Sequence, residues 1–153
     1  MVCSFIGHRD APSSIIPELE STLIDLIENK NVDYFLVGTH GGFDSMVVTV
    51  LKKLKDRYSH ICYNRVLAYM PGKKYEFEPD PNKYDDTIYP EGLETVQKRY
   101  AIIWRNKWMV RQSDFLVAYV NRSWGGASLI LEYAKKRDNL EVINLALFLN
   151  NHH

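Results

Sequence analysis

Short apolar runs alternate along this chain with longer segments of helical period. Residues 2–7 form a compact apolar run that closes on a glycine, and in residues 15–28 the positions Ile15, Leu19, Leu23, Leu26 and Ile27 recur at near-helical spacing. A strand and then a helix are predicted, with Ser13 or Ser14 as the N-cap and with Pro17 and Glu18 suited to a first helical turn. The pattern repeats: residues 33–37 read as a strand ending at Gly38, and residues 43–57 as a helix. Met46, Val47, Val50, Leu51 and Leu54 share one face of that helix, while Lys52, Lys53 and Lys55 lie on the solvated face. Residues 61–69 read as a third strand. Residues 70–93 are rich in Pro, Gly, Asp and Tyr and have no clear period, so they read as a long surface loop, either a functional lid or an insertion without function. Beyond it the pattern predicts a helix over 96–112, a strand over 114–120, a helix over 127–136 and a last strand over 141–146.

About five strands alternating with about four helices predict an α/β fold, a Rossmann-like three-layer sandwich whose mostly parallel sheet carries helices on both faces. Continuous apolar strands such as Phe35-Leu36-Val37 and Phe115-Leu116-Val117-Ala118 suit a sheet buried on both sides. A chain of 153 residues falls in the size range of one domain, taken here as residues 1–150. Nineteen basic and nineteen acidic side chains cancel, so the chain lacks the basic excess that suits a nucleic-acid backbone. No apolar stretch approaches the roughly 20 residues that span a bilayer, and the first residues read as a strand rather than as a signal peptide. Cys3 and Cys62 both fall in predicted strands, which leads to the expectation of a cytoplasmic protein with reduced thiols. The five histidines and two cysteines show no metal-ligand spacing, so neither a metal nor another cofactor is expected.

In open parallel sheets ligands bind outside the carboxyl ends of the strands. Three glycine-bearing strand-to-helix turns fall there: Gly7-His8-Arg9, then Gly38-Thr39-His40-Gly41-Gly42-Phe43-Asp44, then Ser123-Trp124-Gly125-Gly126-Ala127. Glycine lets a ligand approach the backbone, and the free N–H groups of the following helix attract phosphate or carboxylate. No single turn distinguishes this role from plain chain reversal; three converging on one edge favour a ligand site. None of them reads G-x-G-x-x-G or G-x-x-x-x-G-K-[ST], which disfavours the common dinucleotide and P-loop classes. His8 and Arg9 stand where a general base or a phosphate clamp would sit. Asp44 either caps its helix or holds a ribose hydroxyl. Trp124, Tyr69 and Phe43 either stack on a base or belong to the core.

The order and spacing of these motifs resemble those of the SLOG superfamily, which includes the DprA/Smf proteins and the LONELY GUY phosphoribohydrolases. The similarity spans nearly the whole chain and is greatest to the short bacterial and phage SLOG proteins, which share the Gly-His-Arg, Gly-Gly-Phe-Asp and Trp-Gly-Gly-Ala segments. The resemblance implies a nucleotide-derived ligand, such as an ADP-ribose-like or cyclic nucleotide signal, and a homodimer or higher homo-oligomer. In the predicted helix over 96–112, Trp104 and Trp108 form an apolar stripe that is either core or interface. The phosphoribohydrolases carry an arginine helix followed by Pro-Gly-Gly-x-Gly-Thr-x-x-Glu. In register with it, Arg105 and Glu132 take the positions implicated in cleaving an N-glycosidic bond. Trp124 replaces the proline, and Ser128 with Leu129 replaces the Gly-Thr pair that helps to hold a 5′-phosphate. That departure favours a binding module, for sensing or sequestration, over the alternative of an N-glycosidic bond hydrolase or transferase.

Overall fold

A computed structural model describes residues 1–69 and 87–150. In chain order its elements are β1 (Val2–Gly7), α1 (Ile16–Asn29), β2 (Tyr34–Val37), α2 (Gly42–Arg57), β3 (Cys62–Val66), β4 (Thr87–Ile88), α3 (Ala101–Arg111), β5 (Phe115–Tyr119), α4 (Gly126–Lys135), β6 (Glu141–Asn144) and α5 (Leu145–Asn150). The strands form one six-stranded sheet in the order β4-β3-β2-β1-β5-β6, and every pairing is parallel. The expected α/β sandwich is therefore present, with one strand more than the five anticipated.

Alternation along the strands divides the core between two layers. Phe5, Phe35, Val37, Phe115 and Val117 point to one face, where Leu19, Leu23 and Leu26 of α1, Val47 and Leu51 of α2 and Leu145 of α5 cover them. Ile6, Leu36 and Leu116 point to the other, under Met109 and Val110 of α3 and Ile130 and Ala134 of α4. The apolar stripes read from the sequence are the buried faces of these helices. Trp104 and Trp108 are half-buried, and Trp108 packs against the second layer.

Four local expectations are corrected. Neither Ser13 nor Ser14 caps α1; both lie in a 3-10 turn over Ser13–Ile15, and Ile15 precedes the helix with no side-chain cap. The helix predicted over 96–112 starts only at Ala101, because Val96 is extended and Lys98–Tyr100 form a separate 3-10 turn. Of the loop predicted over 70–93, residues 70–86 lie outside the described residues; Thr87–Ile88 form the edge strand β4, paired with Arg65 and Val66. The last strand ends at Asn144 rather than at 146. Asn144 Oδ1 accepts the Ala146 amide at 3.2 Å and the Val120 amide at 3.1 Å, so this side chain caps α5 while it ties β6 to the end of β5.

The order in which strands are added reverses at β1: β2 follows on one side through α1, and β5 lies on the other. The loops after β1 and β5 therefore lead into helices on opposite faces and leave a crevice between them at the carboxyl edge.

Candidate functional site

A cleft of about 370 Å³ occupies that crevice. Gly7, His8, Arg9 and Asp10 after β1, His40 and Asp44 after β2, Arg105 and Asn106 of α3, and Arg122, Gly126 and Ala127 after β5 all line it. The sheet topology has thus drawn segments more than a hundred residues apart into one wall.

Each glycine-rich turn contributes differently. Gly41 and Gly125, the residues before α2 and α4, share one backbone conformation, φ +91° with ψ 172° and φ +98° with ψ 173°. Only glycine adopts that region without strain. The two turns then diverge. A side chain on Gly41 or Gly42 would meet Arg9, whose carbonyl accepts the Gly42 amide at 3.0 Å, so the first Gly-Gly pair is a packing joint between the β1 and β2 loops. A Cβ on Gly7 would overlap the Phe43 ring, and Phe43 is itself core. No described residue lies within 4 Å of a Cβ placed on Gly125 or Gly126. Gly125 is accounted for by its positive φ; Gly126 has neither that constraint nor a close neighbour among the described residues, and it faces the cleft at the first turn of α4.

The cleft is rich in cations. Arg105 is 1% exposed, and protein acceptors occupy its guanidinium: Nη1 donates to the Val66 carbonyl at 2.7 Å and to Thr39 Oγ1 at 3.2 Å, and Nε to Asn106 Oδ1 at 2.7 Å. Its Nη2 lies 3.4 Å from His40 Nδ1. A guanidinium only donates, so Nδ1 accepts and the neutral His40 ring carries its proton on Nε2. Burial, then Arg105, Arg9 and Arg65, hold His40 below its ordinary pKa. Arg65 donates to the Gly38 carbonyl through Nη2 at 3.1 Å. Arg122 packs its guanidinium over the Trp124 ring, 4.4 Å from the centroid, and pairs with Asp10 at 3.3 Å. His8 is buried and accepts the Asn121 amide on Nε2 at 3.3 Å; burial and then Arg122 keep its pKa low.

Asp44 is the buried acid of the site. It is 8% exposed, and its Oδ2 accepts the His40 amide at 3.1 Å. As the third residue of α2 it bonds a loop amide rather than capping from the position before the helix. Burial pushes its carboxyl up to about 6, against the opposing pull of Arg105, the His40 amide and Arg65. Gly38 is where these charges meet: a Cβ there would stand 2.7 Å from Asp44 Oδ2 and 3.2 Å from Arg105 Nη2.

Of the residues singled out from the sequence, Gly7, His8, Arg9, Asp44, Arg105, Gly126 and Ala127 line the cleft. Gly38, Thr39, Gly41, Gly42 and Phe43 support it from behind, and Gly125 sets the turn into α4. Trp124 stands outside the lining, 67% exposed. Tyr69 packs edge-on against His40. Glu132 is not brought to the cleft: its side chain is 65% exposed and pairs with Lys135 at 3.4 Å. Sequence reasoning missed Arg122, Asn106, Asp10 and His40 as lining residues. Arg122 and His40 adjoin or interrupt the flagged glycine turns, which was the available signal.

A scan against protein-family models finds no match, and a search of curated proteins finds none either. Fold and site together define a Rossmann-like α/β domain with a cationic cleft at its topological switch point. No helix among the described residues is long and apolar enough to cross a membrane, and these residues hold no group of three or more His, Cys, Asp or Glu able to bind a metal ion.

Proposed function

We propose that the protein is a binding module of SLOG type that senses or sequesters a nucleotide-derived small molecule, its phosphate at the amino end of α4. The observation that carries this reading is Gly126, which keeps open space beside the free amides of a ten-residue helix in a cleft lined by Arg9 and Arg122. The amides of the first helical turn, the helix dipole, and the guanidinium groups of Arg9 and of Arg122, the latter shared with Asp10, favour an anion there. The cleft volume falls within the range of about 300–1,000 Å³ common for small-molecule sites. The hydrolase alternative lacks comparable support, since Arg105 is committed to protein acceptors and Glu132 stands in solvent.

Thermal melting with nucleotides, nucleosides and ADP-ribose derivatives tests the reading. A ligand at 100 times its dissociation constant stabilises the fold by about 2.7 kcal/mol. A rise in Tm that Gly126→Val abolishes without altering the far-UV spectrum is the expected result. Flat curves across the panel would refute it.

A further inference from the structure

Beyond the anion-holding turn, one lining group of the cleft has an unmet bonding capacity. Asp44 is more than nine-tenths buried, and the His40 amide on Oδ2 is its one hydrogen bond among the described residues; no donor among them reaches Oδ1. Nor does any ion pair at contact distance among the described residues neutralise it, although Arg105 and Arg65 act on it from farther away. Asp44 lines the cleft, and an ionised carboxylate only accepts, so its second oxygen is placed to take a hydrogen bond from a donor on a ligand.

The surroundings restrict what that donor can be. A ligand ammonium would approach Arg9, Arg65 and Arg105, the same three cations that depress His40, and like charge opposes it. A second phosphate is opposed by the carboxylate itself. A neutral donor remains, a hydroxyl or an N–H. The groups beside Asp44 are polar, Gly38, His40 and Arg105, with Tyr69 packed edge-on against His40, whereas the exposed Trp124, next to the turn into α4, stands outside the lining. The polar surroundings of Asp44 thus suit a sugar.

We infer that Asp44 Oδ1 accepts a ribose hydroxyl, so that the cleft selects ribonucleotides over deoxyribonucleotides. This assignment rests on the nucleotide-binding reading above and adds to it the class of sugar. Asp44 positions and discriminates the ligand, and no bond is made or broken.

The test compares ribonucleoside diphosphates, their 2′,3′-dideoxy counterparts and inorganic pyrophosphate by calorimetry on the wild-type chain and on Asp44→Asn. A hydrogen bond to a charged group sets the expected preference at about tenfold or more for the ribose form in the wild type. In Asp44→Asn the ratio collapses toward one, while pyrophosphate binds as tightly as before or more so, because a negative charge has left the cleft. Equal affinity of ribo and dideoxy forms for the wild type would overturn the assignment and leave the anion site standing. Weaker pyrophosphate binding in Asp44→Asn would overturn it too, by showing that the side chain merely shapes the cleft. Should neither pyrophosphate nor any nucleotide bind, the parent reading fails and the assignment falls with it.

Discussion

Replacing Asp44 by asparagine should make the free protein more stable at neutral pH, although it removes a hydrogen-bonding acid from a buried position. Burial lifts this carboxyl from its ordinary 3.8 to about 6 in the folded chain. Between those values the folded state holds a proton that the unfolded state has released. Stability contributed by Asp44 is therefore complete below pH 3.8, declines as pH rises through about 6 and is flat above it. A shift of just over two units, at about 1.4 kcal/mol each, makes the charged carboxylate cost the fold about 3 kcal/mol at pH 7.5. Asparagine is close in size, keeps an oxygen for the His40 amide and carries no charge. Its amide hydrogens face the field of Arg105, which also loses its carboxylate neighbour, so the net gain is about 1–3 kcal/mol, or roughly 3–10 °C in Tm for a chain of this length. Paired melts of wild type and variant from pH 4 to 8 give a difference curve in which the other titrating groups cancel. That difference should be small at pH 4 and grow to its plateau above pH 6. A variant that melts below the wild type at pH 7.5, or a difference independent of pH, would refute the claim that Asp44 is held charged against its preference.

Gly7→Ala should destabilise the fold by about 1–3 kcal/mol in urea titrations, since its Cβ overlaps the Phe43 ring at the packed joint of β1 and α2. At the second Gly-Gly pair the two positions should separate: Gly125→Ala loses about 1–2 kcal/mol to its φ of +98°, whereas Gly126→Ala is neutral or gains up to about 1 kcal/mol. Glu132→Gln should change stability by less than about 0.5 kcal/mol and leave nucleotide affinity unaltered by calorimetry, because the pair it loses with Lys135 is exposed and lies outside the cleft.

The fold was legible in the sequence wherever periodicity and burial agree. Leu19, Leu23 and Leu26 repeat at helical spacing and bury one face, and Phe115 to Ala118 run apolar because both sides of β5 are covered. The errors fall where a polar side chain or a pairing partner overrides the local pattern. Residues 145 and 146 continue the apolar run of β6, yet Asn144 turns the chain into α5 by bonding Val120 and Ala146, and that long-range bond has no signature in local periodicity. Thr87–Ile88 become a strand because Arg65 and Val66 offer an open edge, a fact of assembly rather than of composition. At the site, the glycine turns marked the correct sheet edge. They did not reveal that Gly41 and Gly42 serve packing against Arg9 while Gly126 is open, because identical dipeptides with matching dihedrals differ only in what stands opposite them.

Glu132 shows how motif register and helix geometry part company. An α-helix turns about 100° per residue, so positions two apart lie about 200° apart around its axis. Ile130 and Ala134 are both fully buried against the sheet, which fixes the inward stripe of α4. Glu132 lies midway between them in sequence and so must point away from that stripe, into solvent, where Lys135 meets it one turn later. Gly126, four residues before Ile130, lies close to the inward side at the helix start and reaches the cleft. Counting along the motif aligns Glu132 with a glycosidase carboxylate, but the apolar stripe that anchors α4 is incompatible with turning it inward without exposing Ile130. The buried acid lining this cleft is Asp44, delivered by α2 from the neighbouring strand; its burial and its spare oxygen suit recognition of a neutral hydroxyl beside the phosphate proposed at α4.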